Sequence, residues 1–238
     1  MTPYFQDLGV ELYCGCCMDL LDSIPNVDLA FTDPPYNVGL SYLGDSSGDH
    51  MADYDLWCAS WFMKLRQRAR TIALTPGTAN IGMWYRIAKP DSMAWWVKSG
   101  IMRGEPILLW GENAKAFEVV IAPIRKQKEC EGHPCAKPEL YASRVIGYLS
   151  KEGESVLDPF AGTGTILKMA RLAGRVAIGI EREERYCEIA AKRCAQGVLD
   201  LILPTIDLTV FQNQSEAAVL KIRFRSWLCH LFDYTFAS

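Results

Sequence analysis

Ser155-Val156-Leu157-Asp158-Pro159-Phe160-Ala161-Gly162-Thr163-Gly164-Thr165 reads as a short apolar strand running into a glycine turn. A helix is predicted from Ile166 to Leu172, a strand from Arg175 to Ile180 ending at Glu181, and a helix from Glu183 to Cys194. Strand, glycine turn, helix, strand and terminal acid is the order in which α/β proteins hold an adenosine-bearing cofactor. Gly162 and Gly164 remove side chains where backbone must approach a ligand. The helix beginning near Thr165 offers free N–H groups and the positive end of its dipole. Glu181 follows Gly162 by 19 residues and can accept hydrogen bonds from ribose hydroxyls. Alone, the glycine pair would suit any tight turn; Asp158-Pro159-Phe160 before it and Ile178-Gly179-Ile180-Glu181 after it make the pattern specific. Leu167 occupies the place of the third glycine in a pyrophosphate fingerprint, which favours a cofactor without pyrophosphate.

Upstream of this unit, strands and helices alternate in the manner of a doubly wound sheet. A helix is predicted over Pro138 to Tyr148, with Pro138 in its first turn. Strands are predicted at Val10 to Tyr13, Val27 to Thr32, Thr71 to Thr75, Met93 to Val97, Ile107 to Trp110 and Phe117 to Ala122. Leu56, Trp57, Trp61, Phe62 and Leu65 recur at helical spacing up to Arg70. Asn37 to Asp53, rich in Gly, Ser and Asp, reads as a long loop. The tail over 197–238 has no functional reading.

The run Val27 to Thr32 stops at Asp33-Pro34-Pro35-Tyr36, at the carboxyl end of a strand where open α/β sheets place their ligands. Each residue suits one chemistry. An amino group conjugated to a base ring is a poor nucleophile, because its lone pair is delocalised. Asp33 can accept one of its N–H groups and the Pro34 carbonyl the other, which drives the nitrogen towards tetrahedral geometry. Pro35 keeps Pro34 extended and both rings fix φ, so the acceptors stand ready before a substrate arrives. Tyr36 offers a flat face to a base turned out of its helix. The bland alternative is a strand-ending turn.

The 238 residues carry a net charge of −3, with 50% hydrophobic and 22% charged residues. That is the balance of a globular domain and not of a general nucleic-acid binder. DNA contacts would have to come from a local basic patch, best supplied by Lys115, Arg125, Lys126 and Lys128. The nine cysteines, an odd number without an export signal, read as reduced thiols, and Cys130, His133 and Cys135 match no common zinc spacing. No metal, no membrane span and a cytoplasmic location are expected.

With both motifs in place, the chain resembles the amino-group DNA methyltransferases, which form N6-methyladenine or N4-methylcytosine. Gly132-His133-Pro134-Cys135-Ala136-Lys137-Pro138 resembles the family motif preceding the cofactor strand, and Arg103 to Gly111 the segment following its catalytic half. The catalytic motif precedes the glycine turn, as in the permuted beta class of that family. The resemblance implies a Rossmann-like, mostly parallel, doubly wound α/β sheet with a reversed C-terminal hairpin, S-adenosylmethionine as cofactor, double-stranded DNA with a flipped base as substrate, and homodimers among its members. It places Asp19 against the cofactor adenine and His133 and Lys137 near its methionine end, beside Asp158, Phe160, Gly162, Gly164, Thr165 and Glu181. The implied layout is one methyltransferase domain over 1–196, with a catalytic half at 8–122 and a cofactor half at 133–196. A short DNA-recognition segment falls at 112–132. The Asp form of the motif favours adenine N6, leaving cytosine N4 as the alternative. Less favoured are a silent cofactor- or DNA-binding remnant and a protein glutamine methyltransferase, whose motif carries Asn and follows its glycine turn. A partner endonuclease of a restriction-modification pair is not legible.

Overall fold

A computed structural model describes residues 2–7, 9–39, 51–99, 103–124 and 137–195. Its elements run β1 (Phe5–Asp7), β2 (Val10–Cys14), α1 (Cys17–Leu20), a 3-10 turn (Leu21–Ser23), β3 (Val27–Thr32), α2 (Tyr54–Arg66) and β4 (Ala69–Leu74). A second 3-10 turn (Thr78–Asn80) leads to α3 (Ile81–Ile87), β5 (Ser92–Ser99), β6 (Arg103–Gly111) and β7 (Val119–Pro123). Then come α4 (Glu139–Leu149), β8 (Ser155–Asp158), α5 (Thr165–Leu172), β9 (Val176–Glu181) and α6 (Glu184–Ala195).

The strands form one sheet in the order β1-β2-β9-β8-β3-β4-β6-β5-β7. From β2 to β4 all neighbours are parallel. Strand β6 runs against both β4 and β5, and β7 is parallel to β5, so β6 and the short β1 alone are reversed among the described strands. The reversed hairpin is thus β5–β6. It lies in mid-chain, between the Asp-Pro-Pro-Tyr turn after β3 and the glycine turn after β8.

Alternation along the strands explains why helices cover both faces. Leu29, Phe31, Ala73, Val156 and Ala177 pack on one side with Tyr141, Val145, Ile166 and Cys187 of α4, α5 and α6. Ala30, Ile72, Leu74, Leu157, Ile178 and Ile180 pack on the other with Trp61, Phe62 and Leu65 of α2 and Trp84 of α3. Strands buried on both faces read as near-continuous apolar runs, and that is why Val27 to Thr32 was legible to the residue.

Two local boundaries need correction. Helix α2 ends at Arg66 rather than Arg70, and β4 starts at Ala69. Val27 donates to the Arg68 carbonyl (2.7 Å) and Val27 pairs with Ala69, so sheet bonding captures residues that helical spacing had claimed. Strand β1 and helix α3 carry no clear period and escape sequence reading. Within 112–124, Val119–Pro123 is an edge strand of the sheet, where a strand was expected over Phe117 to Ala122. Residues 125–132, and the tail at 197–238, lie outside the described residues. Among the described residues, no helix is long and apolar enough to cross a membrane.

Candidate active site

Parallel strands β3, β4, β8 and β9 deliver their carboxyl ends to one edge of the sheet, and the two sequence motifs meet there. Strands β3 and β8 are neighbours, with Leu29 opposite Val156 and Ala30 opposite Leu157. Just beyond these pairs, Thr32 Oγ1 donates to Asp158 Oδ1 at 2.8 Å, with both residues buried. The Asp-Pro-Pro-Tyr turn and the glycine turn, over a hundred residues apart in the chain, therefore leave adjacent strands through one hydrogen bond.

In the Asp-Pro-Pro-Tyr turn, Asp33 Oδ1 accepts hydrogen bonds from the Tyr36 hydroxyl (2.5 Å) and the Thr75 hydroxyl. Its Oδ2 is paired with the ammonium of Lys137 at 2.9 Å. Lys137 also donates to the Tyr36 hydroxyl oxygen (3.0 Å) and to Glu105 Oε2 (3.3 Å). Burial and the surrounding negative groups have opposite effects on Lys137; the carboxylates prevail and hold its pKa well above the ordinary lysine value. Burial, reinforced by Asp33, raises the Tyr36 phenol well above its usual range, so it stays a neutral donor. The Pro35 carbonyl accepts from the Tyr54 hydroxyl (2.6 Å), and the Tyr36 carbonyl from Asn80 Nδ2 (2.8 Å). Asn37, in the left-handed region at φ 57°, clamps Met51 through Oδ1 (2.7 Å) and Nδ2 (3.2 Å). It thereby closes the base of the loop read at Asn37 to Asp53, of which 40–50 lie outside the described residues.

In the glycine turn, Glu181 accepts from the Gly162 N–H (2.7 Å) and the Glu183 N–H (2.8 Å), which fixes its carboxylate across the turn at the end of β9. Phe160 sets its ring edge-on against Trp57 (5.6 Å) and Trp61 (4.9 Å). Trp57 stacks on Tyr54 (5.9 Å), the donor to Pro35, so aromatic contacts also join the two turns. Gly162 has φ 51° and Gly164 φ 77°. Gly164 has a packing reason that sequence reading did not supply: a Cβ there would lie 2.7 Å from the Ala190 Cβ, so the residue must be small to admit α6. Arg193 of α6, buried, donates to the Thr163 carbonyl (2.6 Å) and to Thr165 Oγ1 (3.0 Å), bracing the turn from behind.

Asp19 is exposed on α1, which follows β2; Gly15 between them donates to the Glu181 carbonyl (2.8 Å). Lys137 stands with the catalytic turn, bonded to Asp33 and Tyr36. Lys115 is exposed in the turn after β6, at the opposite edge of the sheet: Gly111 pairs with Thr71, and Glu112 with Arg70, at the start of β4. It does not share an edge with Asp33. His133, Arg125, Lys126 and Lys128 lie outside the described residues. Sequence reading missed Thr32, Thr75, Tyr54, Glu105 and Arg193 as site residues. Only Thr32, next to Asp33 at a strand end, had a local signal.

Burial pushes the Asp158 carboxyl up to about 7, against bonds from Thr32 and the Phe160 N–H that favour its charged form. Between the ordinary carboxylate value and about 7 the folded chain binds one proton more than the unfolded chain, so this group's contribution to stability is present at low pH and lost as pH rises through about 7. Asp158→Asn is expected to remove that dependence. Melting midpoints recorded from pH 4.5 to 8 check it, and equal slopes for the variant and the native chain would contradict it.

The residues present suit a small cofactor carrying both cationic groups and a ribose. Two carboxyl groups, Asp158 and Glu181, end adjacent strands beside a glycine turn and an aromatic wall.

A family model described as DNA methylase matches residues 117–192. The type II methyltransferase M.ScaI of Streptomyces caespitosus is 26% identical over 263 residues, spanning 80% of this chain and 83% of its own. Among solved structures, the M1.HpyAVI–SAM complex superposes with a TM-score of 0.64 at 18% identity, over 79% of this chain and 100% of that one. The PvuII DNA methyltransferase, described as cytosine-N4-specific, gives a TM-score of 0.64 at 15% identity, over 82% and 90%.

Proposed function

We propose, from the premise that this chain belongs to the amino-group DNA methyltransferase family, that it methylates the exocyclic N6 of adenine in DNA with S-adenosylmethionine as donor. The observation that carries the proposal is the Thr32–Asp158 hydrogen bond, which sets the Asp-Pro-Pro-Tyr turn and the glycine turn on neighbouring strand ends. Bound S-adenosylmethionine supplies an electrophilic methyl group on a sulfonium; Asp158, Phe160, Gly162 and Glu181 are the residues to hold it.

The rest is done by this chain's own groups. Asp33 carries three hydrogen-bonded partners and a carboxylate has about four lone-pair positions, so Oδ2 retains room for one N–H of the target amine. The Pro34 carbonyl takes the second. Fixing both hydrogens turns the nitrogen lone pair towards the methyl group, and doing so with acceptors already in place avoids reorganisation during transfer. Reaching these acceptors requires the base to leave the duplex, where the Tyr36 ring offers a stacking face. The Asp at position 33 is the ground for adenine over cytosine.

The test is incubation of unmethylated bacterial DNA with labelled S-adenosylmethionine, followed by nucleoside analysis. N6-methyladenosine is the expected product. Label in N4-methylcytidine would keep the mechanism and change the base, whereas unlabelled DNA would overturn the proposal.

A further inference from the structure

Lys137, Pro138 and Glu139 stand together at the start of α4, yet the two charged side chains serve different turns. Lys137 binds Asp33 and Tyr36 of the catalytic turn. Glu139 Oε1 accepts from Lys168 Nζ (2.9 Å) and from Arg193 Nη2 (3.1 Å), and Arg193 is the cation that braces Thr163 and Thr165 of the cofactor turn. Resting on the methyl-transfer reading, we propose that Lys137 is a positioning residue for the transfer step rather than part of the cofactor pocket, and that Glu139 positions the cofactor turn through Arg193.

Lys137 is held by two carboxylates among the described residues. Its ammonium lies between Asp33 Oδ2 and Glu105 Oε2, and Glu105 is held in turn by Lys98 on the neighbouring strand β5. Among the described residues, two ammonium groups and two carboxylates balance in charge, the condition under which such groups tolerate burial. Both ammonium groups also lie over the Trp96 ring, at 4.7 Å for Lys98 and 5.9 Å for Lys137. The result is a rigid support built on the β5–β6 hairpin that fixes the plane of the Asp33 carboxylate from its Oδ2 side, while Thr75 and Tyr36 fix Oδ1. Without Lys137 that carboxylate can turn, and Tyr36 loses the partner that orients its hydroxyl.

Pro138 makes the division structural. It bars residue 137 from the helical region and itself sits at ψ 140°, so α4 begins only at Glu139. Lys137 therefore lies outside the helix and Glu139 in its first turn.

The experiment compares Lys137→Met, Lys137→Arg and Glu139→Gln in the full chain. It measures kcat at saturating cofactor, the dissociation constant of S-adenosylhomocysteine by calorimetry, and the melting midpoint. Lys137→Met is expected to lower kcat about 100-fold with the dissociation constant held, and Lys137→Arg to recover part of the loss. Glu139→Gln is expected to raise the dissociation constant about tenfold. Should Lys137→Met fail to fold, Lys137→Met with Glu105→Gln removes the cation together with one counter-charge and must show the same loss of kcat. Weakened binding with unchanged kcat in the Lys137 variants, or unchanged binding in Glu139→Gln, overturns the division. A native chain that binds S-adenosylhomocysteine but transfers no methyl group to DNA overturns the methyl-transfer reading itself.

Discussion

Asp33→Ala is expected to lower the rate of methyl transfer at least about 1,000-fold, the upper range for losing a preorganised group at the reacting atoms, while S-adenosylmethionine still binds. The binding half of this expectation follows from the geometry. Asp33 bonds Tyr36, Thr75 and Lys137, whereas the glycine turn is fixed by Glu181, Arg193 and Asp158. Alanine also strips Lys137 of one of the two carboxylates paired with it among the described residues. Breaking a buried pair in this way costs about 3–5 kcal/mol when the remaining charge is wholly unpaired; Glu105 reduces that here. Asp33→Asn separates the two effects, because it keeps the shape and an acceptor oxygen while losing the charge. Single-turnover transfer to labelled DNA, run beside calorimetric titration of the cofactor, measures both. Native rates in Asp33→Ala would refute the assignment of this turn to catalysis.

The second large effect is expected at Gly164. Alanine there would take a left-handed conformation at φ 77° and set its Cβ 2.7 Å from that of Ala190. Left-handed strain of about 1–2 kcal/mol adds to an overpacking cost of about 1–3 kcal/mol. The sum corresponds to a fall of about 10 °C in melting midpoint for a domain of this size. Gly153 is the control: its φ is 83°, but a Cβ there meets nothing within 4 Å. Gly153→Ala should therefore show the strain alone, a smaller fall. Equal losses at the two sites would mean that α6 gives way, and that Gly164 matters for backbone conformation only. Gly164→Ala should also weaken cofactor binding, since the turn it distorts carries the Gly162 N–H that Glu181 holds.

How much of the site was legible follows from where its information lies. Asp33-Pro34-Pro35-Tyr36 and Asp158 to Thr165 are contiguous, and their chemistry depends on spacing within a few residues. Thr75, Glu105 and Arg193 reach the site from β4, β6 and α6, and nothing near them in the chain sets them apart. Glu105 lies in a stretch that resembles a family segment, yet its partner Lys137 comes 32 residues later. The position of Lys115 was not legible for a related reason: clustered charge in the chain says nothing about which edge of a sheet a turn occupies, and β6 runs opposite to its neighbours.

By itself the sequence determined the alternation of strands and helices, the order of the two motifs and the chemistry that each can support. These depend on local periods, on proline and glycine geometry and on functional groups only a few bonds apart. Tertiary structure alone decided that the two turns share a strand-end edge, that Lys137 faces Asp33 and that Gly164 yields to a helix. Each of those is a meeting of side chains distant along the backbone, set by which strands pair and how helices pack over them.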